Sequence, residues 1–267
     1  PLFLFMASML EKSGVIEEVF DVAYKWLGRI PGGLAVATVV ASTVLAAMVG
    51  VIGAAVVTMA LVALPSMLRR GYSPVLAVGT VMAGGTLGIL IPPSVLAIVY
   101  GLVANQSVGE LYLGSVFPGL VLSGLYILFS VGYALLNPKA APRLSPEETP
   151  TWSERWRALR SIWSPLVLIF LVLGTIFLGL AAPTEAAAIG AFGAMVVAAI
   201  HRRLSWTILR LALEQTAKAT AMVMWIVFGA NAFVGFYIAQ GGDRYVSELL
   251  LGTGLSPWGI LLLMQGI

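Results

Sequence analysis

The sequence predicts an all-α polytopic membrane protein built around one broken helix. Three observations carry that reading. Hydrophobic residues make up 60% of the chain and charged residues only 10%, where a water-soluble domain carries roughly a quarter charged. Not one charged side chain falls between Gly71 and Gly109, nor between Arg29 and Arg69, so both stretches belong in lipid or deep inside a membrane protein. In the middle of the first stretch lies Gly84-Gly85-Thr86-Leu87-Gly88-Ile89-Leu90-Ile91-Pro92-Pro93-Ser94, where two prolines supply no amide donors and crowd the preceding turn. A helix through it must break. At membrane depth such a break is tolerated only where protein covers the freed backbone or a cavity receives it. Freed carbonyls at a half-helix end suit a cation, and freed amides at the next half-helix start suit an anion, which is the chemistry of a transporter.

Pro1 to Leu10 reads as the tail of a span. Val15, Ile16, Val19, Phe20, Ala23, Trp26 and Leu27 then recur at helical spacing against Glu17, Glu18, Asp21 and Lys25, the pattern of a helix lying in the membrane interface. The uncharged residues from Arg29 to Arg69 are too many for one span, and small residues crowd Ala46 to Ala55. A span followed by a re-entrant hairpin turning between Val49 and Gly53 is expected. Val75 to Ala104 is the broken helix, and Leu111 to Leu136 a plain span. Asn137 to Arg160 is rich in proline and charge, with Trp152 and Trp156 as interface anchors, and reads as a cytoplasmic linker. Ile162 to Leu180 and Thr184 to Ile200 form a helical pair joined at Ala181-Ala182-Pro183. Leu204 to Lys218 is a second interfacial helix, with Ser205 as its cap. Thr220 to Ala239 spans again, Asp243 to Leu251 is amphipathic, and Pro257 to Ile267 begins another span. Pro1 and Ile267 both fall inside apolar runs, so both ends look cut from a longer chain.

The arginines and lysines set orientation. Counting crossings puts Arg69 and Arg70, the linker and His201-Arg202-Arg203 on one cytoplasmic face. Pro1 to Leu10 then runs inward and Thr220 to Ala239 outward. Those two regions resemble each other: Phe5-Met6-Ala7-Ser8 precedes an amphipathic helix and Pro31-Gly32-Gly33, while Phe228-Gly229-Ala230-Asn231 precedes an amphipathic piece and Pro257-Trp258-Gly259. Similar segments of opposite direction mark an inverted repeat. The domains are accordingly 1–136 as the first half, 137–160 as linker and 161–267 as the start of the second half.

Several function classes fall away. The absence of cysteine removes disulfides, thiolate metal sites and cysteine nucleophiles. The one histidine, His201, stands beside two arginines at a membrane edge and is expected to be solvated. Basic residues cluster between apolar runs without interleaved aromatics, which argues against nucleic acid as a partner. A membrane-embedded enzyme would need converging nucleophiles, acids or metal ligands that the apolar runs lack. A purely structural subunit would have no use for the break.

The break, preceded by Ala63-Leu64-Pro65 and Arg69-Arg70-Gly71-Tyr72 and followed by Tyr100-Gly101 and Phe117-Pro118-Gly119-Leu120, closely resembles the large membrane subunit of TRAP transporters. Pro183-Thr184-Glu185-Ala186-Ala187-Ala188 is similar to that family's second-half motif. The resemblance covers essentially the whole chain. It implies an elevator-type secondary transporter in the bacterial or archaeal inner membrane, taking up organic acids with sodium as coupling ion and no other cofactor. It also implies an extracytoplasmic substrate-binding protein and a small membrane subunit as partners. The family's sodium-binding carbonyls map to Val49, Gly88, Ile91 and Pro93. Gly50, Gly84, Gly85, Thr86, Pro92 and Ser94 are candidates for substrate binding or gating. Many members carry a Ser-Gly-Ser tip where this chain has Val49-Gly50-Val51, so serine hydroxyl ligands are absent while backbone ligands survive. A second hairpin with its own sodium site is expected beyond Ile267. In the second half Thr184, Glu185 and Asn231 are candidates, against a helix start capped by Thr184 with Glu185 at the positive end of its dipole, and a plain interhelix bond for Asn231. The alternative is an ion-coupled carboxylate transporter of the same superfamily working without a binding protein.

Overall fold

Leu2–Lys12 forms α1 and Val15–Leu27 forms α2 in the computed structural model, which describes residues 1–50, 52–143 and 150–266. Every described element is a helix, and among the described residues there is no strand. The apolar positions predicted for α2 are its inner face: Val15, Ile16, Val19, Phe20 and Ala23 are buried. Asp21 and Lys25 pair on its outside at 2.5 Å, an i,i+4 contact of a few tenths of a kcal/mol.

Gly33–Val49 forms α3 and Ile52–Arg69 forms α4. They are the two arms of a hairpin. Leu34 N–H donates to the Tyr72 hydroxyl at 3.2 Å, and the Thr38 hydroxyl lies 3.6 Å from Met67 Sδ, contacts that close the end of the hairpin away from Gly50. Burial pushes the Tyr72 phenol up from its ordinary range, which keeps it neutral at the open end of the hairpin. The expected span ahead of the hairpin does not exist. The arms take 17 and 18 residues, each about 26 Å at 1.5 Å per residue, and so use up the whole uncharged run. Run length reveals how much chain is in the membrane, not how it is divided. Val51, at the predicted tip, lies outside the described residues.

Pro74–Leu90 forms α5, Val95–Ala104 forms α6 and Val108–Leu136 forms α7. The predicted break is real but narrower than its composition suggests: Gly84, Gly85 and Gly88 remain helical, and only Ile91 to Ser94 leave the helix. The prolines, rather than the glycines, stop it.

Trp152–Ser161 forms α8, Trp163–Phe177 forms α9 and Pro183–Ile200 forms α10. The supposed linker thus ends in a helix, started by a capping box in which Thr151 Oγ1 accepts from Glu154 N–H at 3.3 Å and Glu154 accepts from Thr151 N–H at 2.8 Å. Residues 144–149 of the linker lie outside the described residues. Helices α9 and α10 pack as predicted, with Gly193 facing Leu168 and Gly190 facing Val172, and Gly190 also receives Met6 of α1.

The three basic clusters expected on one face all meet α2. Arg70 lies 4.8 Å over the Tyr24 ring, Trp26 Nε1 donates to the Arg155 carbonyl at 3.4 Å, and Arg203 is 3.8 Å from Glu18. His201 corrects the expectation of a solvated ring. Its side chain is only 11% exposed and its Nε2 is 3.3 Å from Glu18. Nδ1 is 2.9 Å from the Val197 carbonyl and Nε2 is 3.0 Å from the Ser161 carbonyl. The ring therefore ties α2, α8 and α10 together. Replacing His201 by alanine is expected to cost about 1–3 kcal/mol, since the Ser161 carbonyl and the Glu18 carboxylate lose a partner. Thermal melts of the purified full-length protein measure this, and an unchanged melt would show the junction to be idle.

Trp206–Ala239 forms α11. The predicted interfacial helix and the following span are one helix of 34 residues, because no glycine or proline falls between Trp206 and Val227 and alanines carry the helix through the charged positions. Ser205 does cap it, accepting from Ile208 N–H at 3.2 Å. Pro1–Ala217 forms one compact unit and Lys218–Ile267 a second. In the second unit, Gly242–Leu251 forms α12 and Pro257–Gly266 forms α13, and the Tyr237 hydroxyl closes the turn at Gly241 by donating to the Gly242 carbonyl at 2.6 Å. Ile267 is outside the described residues.

Among the described residues, five segments are long and apolar enough to cross a membrane, or six if the bent pair of α8 and α9 counts as one. The predicted all-α polytopic membrane class is what the chain adopts.

Candidate functional site

The break begins with a missing donor. Pro92 and Pro93 have no N–H, so the carbonyls of Gly88 and Ile89, four residues earlier, lose their ladder partners. Helix α5 closes with Ile91 N–H donating to the Leu87 carbonyl at 2.9 Å, after which Ile91 is extended, with φ −86° and ψ 119°. The Pro92–Pro93 peptide is cis. Ser94 restarts the helix, its hydroxyl accepting from Ala97 N–H at 3.4 Å, as a serine N-cap does.

The hairpin tip meets this break backbone to backbone. Val49 is the last residue of α3, and Gly50 turns the chain with φ 62° and ψ 14°. The Gly50 carbonyl accepts from Val95 N–H, the first amide of α6, at 3.3 Å. On the other side Gly50 lies so close to Pro93 that a Cβ there would overlap the Pro93 carbonyl oxygen. Val49, Gly50, Ile91, Pro92, Pro93 and Ser94 are all buried, and so is Gly88. Of the sequence-predicted residues, the fold therefore brings Val49 and Gly50 against the break at Ile91, Pro92, Pro93 and Ser94, with Gly88 one turn before it on α5.

Gly84 and Gly85 lie further down α5 and do a different job. A Cβ on Gly84 would strike Ser42 of α3, and one on Gly85 would strike Val56 of α4, so adjacent glycines receive one arm of the hairpin each. Thr86 is not part of the gathering. It is exposed, its hydroxyl donates to the Ala83 carbonyl at 2.7 Å, and it lies 3.2 Å from the Tyr126 hydroxyl of α7. Tyr126 also lines a groove of about 560 Å³ between α5 and α7, whose other walls are mostly apolar, Val75, Ala83, Leu122 and Phe129 among them, with Thr80 and Ser130 also present.

The second-half candidates have local work. Glu185 accepts from Ala182 N–H at 2.8 Å and so starts α10; Thr184 lies inside the first turn and is not the cap that was expected. Asn231, in the second unit, donates to the Val227 carbonyl of its own helix at 2.9 Å rather than to a neighbouring one.

Tyr112 is the residue that sequence reasoning missed. It is fully buried on α7, and its hydroxyl donates to the Ser94 carbonyl at 3.2 Å, a carbonyl that also accepts from Ile98 N–H at 3.3 Å. A tyrosine inside an apolar span was the available signal, because a buried phenol needs a partner. Tyr112→Phe is expected to lower stability by about 1 kcal/mol, read as a lower melting temperature of the full-length protein; an identical melt would mean that the hydroxyl does not hold the break.

A profile of the family described as "Tripartite ATP-independent periplasmic transporter, DctM component" matches residues 1–266. The chain belongs to the DctM family. It is 34% identical over 266 residues to the C4-dicarboxylate TRAP transporter large permease protein DctM of Pseudomonas aeruginosa, covering 99% of this chain and 61% of that protein. The ectoine/5-hydroxyectoine TRAP transporter large permease protein UehC of Ruegeria pomeroyi is 30% identical over 273 residues, with 99% and 61% covered. The isethionate TRAP transporter permease protein DctMQ of Oleidesulfovibrio alaskensis is 29% identical over 270 residues, with 99% and 41% covered. This DctM-family chain thus spans about 61% of the length of the first two. All three relatives are named as transporter permeases, which sets the DctM chain in a transport family rather than among membrane-embedded enzymes.

Proposed function

We propose that the full-length protein is the large permease subunit of a sodium-driven uptake system for organic acids in the inner membrane, working with a small membrane subunit and an extracytoplasmic substrate-binding protein. The observation that carries this reading is the seating of the hairpin tip on the broken helix through the Gly50 carbonyl and Val95 N–H. In this reading the carbonyls of Val49, Gly88, Ile91 and Pro93 replace part of a sodium ion's hydration shell. Gly50, Pro92 and Ser94 border the path of the substrate, and Gly84 and Gly85 seat the hairpin that carries the tip. Thr86, Thr184, Glu185 and Asn231 are left to structural roles. Coupling follows if the tip docks well only with the ion present, because an ion shifts an equilibrium only by its differential affinity for the two states. The two halves, 1–136 and 161–267, act as an inverted repeat around the 137–160 linker, with the basic end facing the cytoplasm and one half moving as an elevator. A second hairpin belongs to the part of the protein outside this sequence.

The substrate carries a carboxylate. Relatives named for C4-dicarboxylates and for ectoine support that class, and the amides opening α6 suit an anion. The test is uptake by the full-length protein with its small subunit and binding protein in proteoliposomes, offered a C4-dicarboxylate and ectoine in turn. Replacing the sodium gradient by choline is expected to lower uptake by about tenfold or more, equivalent to about 1.4 kcal/mol of coupling. Uptake that proceeds equally well without sodium would overturn the ion site.

A further inference from the structure

Among the described residues, Arg155 is a guanidinium without an anion. It sits on α8 at 8% exposure, and its Nε and one Nη are buried without a hydrogen-bond partner. Leaving charged donors bare in the interior costs several kcal/mol as an order of magnitude. The ring of Trp152, 5.3 Å from Cζ, offsets part of that cost through its face, but a π face does not occupy the in-plane fork. Its chain neighbour Glu154 is engaged elsewhere, accepting from Thr151 N–H in the capping box. Lys25 and Arg157 lie close enough to Glu154 to help hold its carboxyl below the ordinary range, behind the larger effect of its Thr151 hydrogen bonds.

The setting is a membrane edge. Trp26 of α2 is gripped edge-on by Trp152 at 6.0 Å and by Trp156 at 5.7 Å, and its indole N–H is spent on the Arg155 carbonyl. Trp152 and Trp156 are exposed, as is Trp163 at the start of α9, the apolar helix into which α8 bends by 48°. Indoles gather at the headgroup level. Arg155 precedes Trp163 by about two helical turns, roughly 12 Å along the axis, which sets it at that level and not in the hydrocarbon.

We propose that the fork of Arg155, framed by Trp26, Trp152 and Trp156, is a binding site for the phosphate of an anionic membrane phospholipid. The planar fork matches two phosphate oxygens at once, and the exposed indoles give the glycerol and upper acyl chain a wall to lie against. Bound there, the lipid pins α8 to α2 at the point where the second half of the chain enters the membrane.

The experiment is native mass spectrometry of the purified full-length protein titrated with phosphatidylglycerol, with diacylglycerol of the same chains, and with glycerol 3-phosphate as competitor. Phosphatidylglycerol is expected to be retained about tenfold more tightly than diacylglycerol, the scale of one bidentate charged contact, and glycerol 3-phosphate is expected not to displace it. Arg155→Gln should bring phosphatidylglycerol to the diacylglycerol level, Arg155→Lys should fall between, and Arg160→Gln, an exposed charge on the same helix, should leave it unchanged. Equal retention of the two lipids by the unmodified protein would overturn the site, whatever the variants do. Retention unchanged in Arg155→Gln would also overturn it, and displacement by glycerol 3-phosphate would assign the fork to a soluble phosphate instead.

Discussion

Replacing Gly50 by alanine is expected to reduce uptake by about tenfold or more while leaving the protein inserted and folded. Two independent costs meet at this position. The backbone holds φ 62°, a left-handed conformation that costs a side chain-bearing residue roughly 1–2 kcal/mol. The new methyl would also overlap the Pro93 carbonyl oxygen, and that oxygen belongs to the main chain, so no side-chain rotation can clear it. The tip must lift or α6 must shift. Either movement stretches the bond from Val95 N–H to the Gly50 carbonyl, now 3.3 Å. Because the damage is confined to the tip, the arms should still pack on α5 through Gly84 and Gly85. The check is initial uptake in proteoliposomes alongside a thermal melt. Uptake near the unmodified rate would show that tip seating is not part of transport.

Gly88→Val should act from the other side of the same contact. Gly88 is buried in the last turn of α5, and its carbonyl is one of those left without a donor by the prolines. A β-branched side chain there loses rotamer freedom against the preceding turn and crowds the backbone of the proposed ion site. The expected result is a fall in sodium-dependent uptake of about tenfold, or about 1.4 kcal/mol, together with a higher sodium requirement and normal membrane insertion. Gly88→Ala should fall between the two. A valine variant that transports normally with an unchanged sodium requirement would remove Gly88 from the site.

Much of this arrangement was legible in the residues because proline and glycine act locally. Pro92 and Pro93 delete donors wherever they stand, so the break was placed to within a few residues, and Gly50 among small residues marked the turn. The motifs around the break led to the family for the same reason. What stayed hidden depends on partners far along the chain. Tyr112 reaches the carbonyl at the restart of a different helix, and nothing around Tyr112 itself announces that. His201 carries the same ambiguity: beside Arg202 and Arg203 it reads as wet, yet Glu18 and the Ser161 carbonyl enclose it. The run between Arg29 and Arg69 reads as a span plus a hairpin but holds the hairpin alone, because apolar composition is blind to where a hairpin starts. The merger of two expected elements into α11 was hidden because the charges at Arg210, Glu214 and Lys218 look like a boundary, when charge moves a helix out of lipid without ending it.

The break contains no acid or base. From Gly71 to Gly109 the chain carries no charged side chain, and the groups gathered around the Gly50 tip are main-chain oxygens and amides. A carboxylate cage surrenders its cation as protons compete for it, whereas an amide oxygen has no proton to accept in the physiological range. Any cation seated there would be held by carbonyl dipoles, and how closely they converge when the tip is down would set its affinity. Affinity then becomes a property of a position rather than of a composition, and acidity outside the cell has no direct grip on it.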